Sequence, residues 1–173
     1  MTLTSEDLCK QHGMLIWPEA QILKKCASML PADPVIVNIG AGVGTSVVAI
    51  LEERPDAFIF SVDKELAPLE RIGLNACGID HTRCVRVLGK SWDVGHNFPC
   101  MVHMVFVDGD HGTKAVEQDI ATWLPKVIPG GIMAFHDYKH PNVPELTDVV
   151  DSFMNGYELI DEHRYMIAYV VNG

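Results

Sequence analysis

Residues 35–45 read Val-Ile-Val-Asn-Ile-Gly-Ala-Gly-Val-Gly-Thr, an apolar run that leads directly into three glycines at every second position. Glycine lets a backbone turn tightly and approach a ligand closely. A helix predicted from Ser46 to Glu53 would point its first N–H groups at that ligand. A strand that turns through glycines into a helix is typical of nucleotide-binding α/β proteins, although the same glycines can also serve the geometry of the turn alone.

The spacing of these glycines distinguishes between classes of nucleotide. Gly40, Gly42 and Gly44 form the pattern G-x-G-x-G. A dinucleotide-binding loop has G-x-G-x-x-G instead, and Thr45 stands where its last glycine would fall. The spacing therefore argues against NAD as the ligand.

Further short apolar segments, rich in β-branched and aromatic residues, recur along the chain and are typical of strands buried on both faces of a parallel sheet. With the first strand they cover residues 35–39, 57–62, 84–88, 102–107 and 132–135. Helices are predicted between them over 46–53, 66–75, 114–124 and 145–154, and before the first strand over 6–12 and 18–30. Such alternation predicts strand–helix–strand crossovers.

The C-terminal segments 157–161 and 165–171 are separated only by Glu162, His163 and Arg164, a connection that permits only an antiparallel hairpin. The predicted fold class is therefore α/β. It is a doubly wound, mostly parallel seven-stranded sheet with a C-terminal antiparallel hairpin and helices on both faces. The glycine pair Gly130-Gly131 is interpreted as a tight turn into the fifth strand.

Length and composition limit the classes of function. The chain has 173 residues, 48% hydrophobic and 21% charged, so we expect one domain over 1–173, of which 1–30 is an N-terminal helical segment. A net charge of −10 disfavours nucleic acid and anionic membranes as partners. No apolar run approaches the roughly 20 residues of a membrane helix, and residues 1–7 do not resemble a secretory signal. Five cysteines without CxxC spacing indicate reduced thiols. We expect a cytoplasmic protein.

Two segments after the second and third strands are candidates for binding a nucleoside. Asp63 ends the second strand, where its carboxylate could accept hydrogen bonds from both ribose hydroxyls. The alternative is a solvated aspartate that caps the next helix. Ser91 and Trp92 follow the third strand, where a hydroxyl and an indole could bracket an adenine ring; Trp92 could equally be a packing residue.

Acidic residues also close the fourth and fifth strands. Asp108 ends one and His136-Asp137 ends the other, so all three side chains should face one crevice. Carboxylate oxygens suit Mg²⁺ or a similar divalent ion, whereas His136 suits Mn²⁺, Fe²⁺ or Zn²⁺ better. The alternative to a metal site is that these residues only cap turns or form a structural hydrogen bond.

His111 lies three residues beyond Asp108, where the loop could reach a reacting group. An imidazole with a pKa near neutrality is suited to removing a proton from a nucleophile. His111 is therefore the candidate base; it could instead cap the helix that begins near Thr113 or contact Asp137 structurally.

The segments 106–111, 119–123 and 128–138 contain a DG-x-H motif and an HD pair at the next strand end. With the glycine pattern, Asp63 and the terminal hairpin, they make the chain resemble the Rossmann-like class I S-adenosylmethionine-dependent methyltransferases, in particular small-molecule O-methyltransferases and sugar methyltransferases. In metal-dependent members, carboxylates at these two strand ends hold the ion. Where family members usually carry an acidic residue, this chain has Asn38.

The resemblance implies S-adenosylmethionine as cofactor, a divalent cation such as Mg²⁺ as a further one, and a small-molecule acceptor. Catalysis would involve His111 and Asp108, and a metal would be held by Asp108, Asp137 and His136. The implied cofactor-binding residues are Asn38, Gly40, Ala41, Gly42, Gly44, Thr45, Asp63, Lys64, Ser91, Trp92 and Asp108. The rival functions are an NAD-linked oxidoreductase and a non-catalytic module that keeps the cofactor-binding fold. Because only about thirty residues precede the first strand, a partner subunit could complete the pocket, which favours a homodimer.

Overall fold

The computed structural model describes residues 2–172. Within that range the strands are β1 (Val35–Ile39), β2 (Phe58–Asp63), β3 (Cys84–Leu88), β4 (Val102–Val107), β5 (Val127–Phe135), β6 (Glu158–His163) and β7 (Met166–Val171). The α-helices are α1 (Ser5–His12), α2 (Trp17–Ser28), α3 (Thr45–Glu53), α4 (Pro68–Ala76), α5 (Ser91–His96), α6 (Thr113–Trp123) and α7 (Glu145–Met154). Short 3-10 turns cover His81–Arg83 and Leu124–Lys126.

All the strands belong to one sheet with the order β3-β2-β1-β4-β5-β7-β6. The first five strands pair in parallel, and β7 lies antiparallel between β5 and β6. The strand order reverses direction between β1 and β4, which is where open α/β sheets bind ligands. The predicted fold class is confirmed.

Alternation along the strands divides the buried side chains between the two faces of the sheet. On β1, Ile36 belongs to a core formed with α1, α2 and α3, whereas Val37 belongs to a core formed with α6 and α7. Each face of a strand contributes every second side chain, so a strand covered on both sides must be apolar throughout. This is why the strands of the parallel part read as continuous apolar runs.

Two features differ from the sequence-based expectation. The pair Gly130-Gly131 lies inside β5, which begins at Val127, so its interpretation as a turn into the strand is wrong. Gly130 has φ +80°, and the register with β4 shifts between Val102 and Met104, so the glycines accommodate an irregularity within the strand. The short helix α5 was not expected, since six residues are too few to show helical periodicity.

The N-terminal segment packs on the sheet as two helices. In α1 the capping box of Thr4 and Asp7 lies in an exposed position, and α2 begins with Trp17 and Pro18. Among the described residues, no helix has the length and apolarity that a bilayer span requires. The five cysteines are free thiols.

Candidate active site

One large cavity lies at the carboxyl ends of β1, β2, β4 and β5. Its volume is about 660 Å³, and its walls are the loops that follow these strands, the segment after β3, Asp119 of α6 and the connection between α1 and α2. Met14 from that connection lies over the glycine loop, with its methyl carbon 3.5 Å from the place of a Cβ on Gly42. The N-terminal segment therefore forms one wall of the cavity.

The glycine loop comes into direct contact with the loop that follows β4. Gly40 has φ +92°, and a Cβ at this position would lie 2.0 Å from the carbonyl oxygen of Asp108. The Asp108 N–H donates to Ile39 O at 2.9 Å. A side chain at residue 40 is therefore excluded by both conformation and space, and the loops after β1 and β4 are held against each other.

Asn38 lies beneath the glycine loop, fully buried. Its amide nitrogen donates to Gly40 O at 2.7 Å and to Ser61 Oγ at 3.4 Å, and its Oδ1 accepts from Ser46 Oγ at 2.8 Å. Neither Asn38 nor Gly44 is among the residues that line the cavity. Asn38 thus shapes the loop from below, which differs from the direct cofactor contact expected from the sequence.

Asp63 lines the cavity and supports the glycine loop from the side. Its Oδ2 accepts from Ala41 N at 2.9 Å, and its Oδ1 accepts from Glu65 N at 2.9 Å. The neighbouring Lys64 forms an ion pair with Asp110 at 3.1 Å, which links the loops after β2 and β4. The Asp63 carboxylate therefore combines a turn-forming role with a position at the cavity wall.

Ser91 and Trp92, which follow β3, also line the cavity. Ser91 Oγ accepts a hydrogen bond of 2.7 Å from Trp123 Nε1. Asp119, 1% exposed, lines the same wall. Burial raises the pKa of Asp119 to about 6, although a hydrogen bond with Ser91 acts in the opposite direction.

Two buried polar atoms of the cavity wall have no hydrogen-bond partner among the described residues. They are Thr45 Oγ1, at the start of α3, and Asp119 Oδ1. A buried polar atom without a partner costs roughly 1 to 3 kcal/mol, and native proteins contain few of them. Their location in one cavity fits a polar ligand that satisfies them. The sequence analysis did not identify Asp119 as a site residue. The available signal was its helical position, since Asp119 lies three residues after the buried Val116 and four before the buried Trp123 and so shares their face.

The expected strand-end residues form a cluster at the other end of the cavity. His136 Nδ1 lies 3.2 Å from Asp108 Oδ1 and 3.5 Å from Asp137 Oδ2, and His111 Nδ1 lies 2.6 Å from Asp137 Oδ2. One ligand atom each from Asp108, His136 and Asp137 lies within 4.8 Å of the others, a separation that suits a single metal ion. The donor set therefore fits a divalent cation.

Backbone geometry and electrostatics set this cluster apart from ordinary strand ends. Asp137 has φ +58°, a conformation that costs a non-glycine residue free energy and that clusters at functional sites. Burial alone would raise the pKa of Asp137, but hydrogen bonds with His111 and His136 hold it well below its usual range. Burial raises the pKa of Asp108, so the pKa values of the two carboxyl groups are shifted in opposite directions.

The neighbouring carboxylates raise the pKa of both histidines. The hydrogen bond with Asp137 raises the pKa of His111. Burial alone would lower the pKa of His136, but hydrogen bonds with Asp108, Asp137 and Glu19 together raise it to about 12. Both histidines line the cavity, but the His136 side chain is 9% exposed and that of His111 is 55% exposed, so His111 is the more accessible of the two.

Glu19 was missed in the sequence. It lies in the first turn of α2, 2% exposed, with its Oε2 3.3 Å from His136 Nε2. The available signal was its helical position, since Glu19 precedes the buried Ile22 and Leu23 by three and four residues and so shares their face. An acidic residue on an apolar helical face indicates a buried partner.

Comparison with known proteins identifies the family and the fold. Residues 37–138 match the family model described as a methyltransferase domain. No curated protein matches the chain. Among solved structures, a candidate caffeoyl-CoA O-methyltransferase from Staphylococcus aureus superposes with a TM-score of 0.77 at 12% identity, covering 99% of this chain and 93% of that one.

Two further solved structures share the architecture. The O-methyltransferase TomG from Streptomyces achromogenes, in complex with SAM, gives a TM-score of 0.71 at 16% identity, covering 98% of this chain and 86% of that one. The methyltransferase MycE, in complex with Mg, SAH and mycinamycin VI, gives a TM-score of 0.67 at 16% identity, covering 99% of this chain and 55% of that one. At such identities the likeness concerns the fold. The family match spans more than half of the chain, and it establishes that this protein belongs to the methyltransferase-domain family and is a methyltransferase with the class I, Rossmann-like fold.

Proposed function

We propose that this protein transfers the methyl group of S-adenosylmethionine to an oxygen of a small molecule, with a divalent cation at the strand-end cluster. The observation that carries the proposal is the continuity of one cavity. It joins the glycine loop at Gly40 to the cluster of Asp108, His136 and Asp137. A donor bound at one end and an acceptor at the other would meet above Asp108.

The donor is assigned to the wall formed by the glycine loop, Asp63 and Ser91-Trp92. The start of α3 supplies backbone N–H groups and the unpartnered Thr45 Oγ1, which suit the carboxylate of the donor's methionine part. Asp63 would accept hydrogen bonds from the ribose hydroxyls, with Lys64 beside it, and the ring of Trp92 would stack on the adenine; all three residues line the cavity. The complex of TomG with SAM supports this choice of donor.

S-adenosylmethionine, when bound, supplies a methyl group on a positively charged sulfur, and transfer is an in-line displacement. The protein must then align the acceptor and remove its proton. We assign proton removal to His111: Nδ1 remains bonded to Asp137 Oδ2 at 2.6 Å, and Nε2 is left to take the hydroxyl proton. Asp137 orients the imidazole and stabilises its protonated form, and Asp108 lies beside the path of transfer.

Asp108, Asp137 and His136 would hold the cation, whose binding would release to solvent the proton that the neighbouring carboxylates keep on His136 Nδ1. A divalent ion there would bind the acceptor oxygen and lower the pKa of its hydroxyl. The complex of MycE with Mg, SAH and mycinamycin VI supports both a cation and a small-molecule acceptor. The nitrogen donor of His136 favours Mn²⁺, Fe²⁺ or Zn²⁺ over Mg²⁺.

The G-x-G-x-G spacing and the methyltransferase family match give no support to an NAD-linked oxidoreductase. The non-catalytic alternative would have the same donor site without turnover. We retain three further expectations as part of this proposal: one domain over 1–173, a cytoplasmic location, and a homodimer that does not bind nucleic acid. Light scattering of the purified protein tests the dimer.

Calorimetry followed by turnover measurements tests the proposed function. We expect S-adenosylhomocysteine to bind with micromolar affinity and NADH not to bind. We expect a panel of small hydroxylated acceptors to include a substrate whose methylation depends on added Mn²⁺ or Mg²⁺. Binding without turnover on any acceptor would favour the non-catalytic module, and binding of NADH in place of S-adenosylhomocysteine would overturn the donor assignment.

A further inference from the structure

Glu19 contacts the strand-end cluster through His136 and is not among the residues that line the cavity. Its Oε2 accepts from Ile16 N at 3.0 Å and lies 3.3 Å from His136 Nε2, and its Oε1 accepts from Tyr165 N at 3.4 Å. The carboxylate thus joins the start of α2, the end of β5 and the turn between β6 and β7. With 2% exposure it is almost completely buried.

Helix capping alone does not explain this burial. The first helix, α1, has the same kind of capping box, in which Asp7 accepts from Thr4 N at 2.9 Å in an exposed position. Burying a carboxylate is costly unless it is hydrogen-bonded and paired with a positive group. Within the described residues, the ionisable group that contacts Glu19 is His136, so the position of Glu19 is tied to that imidazole.

The contacts of His136 fix which ring nitrogen faces the cavity. Nε2 faces Glu19, and Nδ1 lies 3.2 Å from Asp108 Oδ1 and 3.5 Å from Asp137 Oδ2. A metal-binding histidine commonly gives its other ring N–H to a carboxylate, which fixes the tautomer and strengthens the ligand. Glu19 occupies that position relative to His136.

We propose that Glu19 is a positioning residue, which holds the His136 ring with Nδ1 turned toward Asp108 and Asp137 and so makes the cluster a mixed nitrogen and oxygen site. The inference rests on the proposed function, because it concerns the cation site assigned there. It adds that α2 is part of the site. It also makes Glu19 responsible for a preference for cations of the Mn²⁺, Co²⁺ and Zn²⁺ class over Mg²⁺.

Co²⁺ binding by the full chain tests this role, because Co²⁺ reports its ligands through visible absorption. Glu19→Gln keeps the shape of the side chain and removes its charge. We expect this variant to bind Co²⁺ about 10- to 100-fold more weakly than the wild type, with an altered absorption spectrum. S-adenosylhomocysteine affinity should stay unchanged, which shows that the fold and donor site persist.

Glu52→Gln is the matched control. Glu52 also binds both N-terminal helices: it accepts from Ser5 N of α1 at 2.8 Å and forms an ion pair with Lys24 of α2 at 2.9 Å. Unlike Glu19, it does not contact the cluster. Both variants should lower the unfolding temperature, but only Glu19→Gln should change Co²⁺ binding. In Glu19→Gln/His136→Gln, the Glu19 substitution should add no further loss to that of His136→Gln, because Glu19 acts through His136.

Two results would overturn the positioning role. One is Co²⁺ affinity and absorption in Glu19→Gln equal to the wild type; the other is additive losses in the double variant. If the wild type binds no Co²⁺, Mn²⁺ or Mg²⁺, the cation in the proposed function is wrong, and ¹⁵N–¹H correlation spectra decide the role of Glu19 separately. The His136 ring signals should then change in Glu19→Gln and not in Glu52→Gln, and unchanged signals would refute the inference.

Discussion

The alpha carbon of Gly40 faces the carbonyl oxygen of Asp108 so closely that a Cβ on residue 40 would lie 2.0 Å from that oxygen. Gly40 belongs to the loop assigned to the methyl donor, and Asp108 belongs to the cluster assigned to the acceptor. The two halves of the proposed reaction therefore share one backbone contact, and the distance between donor and acceptor depends on it.

Gly40→Ala should destabilise the protein severely. The substitution combines a positive φ of +92° with a clash against backbone, so we expect a loss of about 3 to 5 kcal/mol in the free energy of unfolding. Gly13→Ala is the control, since Gly13 has φ +66° and no atom within 4 Å of its Cβ position; it should lose only about 1 to 2 kcal/mol. Urea unfolding measures both, and equal losses would contradict the importance of the contact.

Asp63→Asn should weaken S-adenosylhomocysteine binding. The carboxylate supports Ala41 N and faces the cavity, so its loss should cost about 1 to 3 kcal/mol of binding free energy. Asp80→Asn is matched, because Asp80 likewise accepts from the backbone N–H two residues on, at 2.9 Å, but in an exposed turn. Calorimetry should show a raised Kd for the Asp63 variant alone; an unchanged Kd removes Asp63 from the donor site.

Much of the fold could be predicted from the sequence because the sheet is covered on both faces. Continuous apolar runs then mark the parallel strands directly, and the bounds of α7 agree with those predicted. The exceptions are local. Gly130-Gly131 resembles a turn in composition although β5 passes through it, and α5 has only six residues.

The candidate site was predictable where topology alone brings residues together. The carboxyl ends of parallel strands meet at one edge, so Asp108, His136 and Asp137 could be grouped before any coordinates. Glu19 could not, because its contact with His136 joins residues 117 positions apart, on a helix whose docking no motif specifies. For Asn38 the sequence predicted the strand but not the role of the side chain. Asn38 is buried beneath the glycine loop by hydrogen bonds with Ser46 and Ser61, which the sequence pattern does not reveal.

His111→Ala should lower turnover without changing donor affinity. If His111 is the base, its removal should reduce kcat by about 10²- to 10⁴-fold, while the Kd for S-adenosylhomocysteine stays the same. His163→Ala, at an exposed position on the C-terminal hairpin, should have wild-type kcat. Equal turnover in the wild type and the His111 variant would leave His111 as a structural partner of Asp137.

Removal of the cation should abolish activity, and loss of a carboxylate ligand should reproduce that effect. We expect EDTA to eliminate turnover and Mn²⁺ to restore it, whereas Asp108→Asn and Asp137→Asn should stay inactive at Mn²⁺ concentrations that saturate the wild type. Asp148→Asn, on the exposed side of α7, is the control and should respond as the wild type does. Full activity in EDTA would mean that the two aspartates only terminate their strands.

Asp119 should make stability depend on pH. Its pKa of about 6 in the native protein lies above the value of 3.8 for a free aspartate, so the native state binds more protons than the unfolded state between these values. The free energy of unfolding should therefore fall as the pH rises through this window. Asp119→Asn cannot ionise and should be more stable than the wild type at pH 7, by about 1 to 3 kcal/mol.

That difference between Asp119→Asn and the wild type should shrink as the pH is lowered from 7 toward 4, because Asp119 becomes protonated in both states and then resembles the amide. Urea unfolding of both proteins at several pH values measures it, and the other carboxyl groups cancel in the comparison. A variant that is less stable than the wild type at pH 7 would show that the buried carboxylate of Asp119 is ionised and fully satisfied there. In that case the unpartnered oxygen of Asp119 would not require a polar ligand in the cavity.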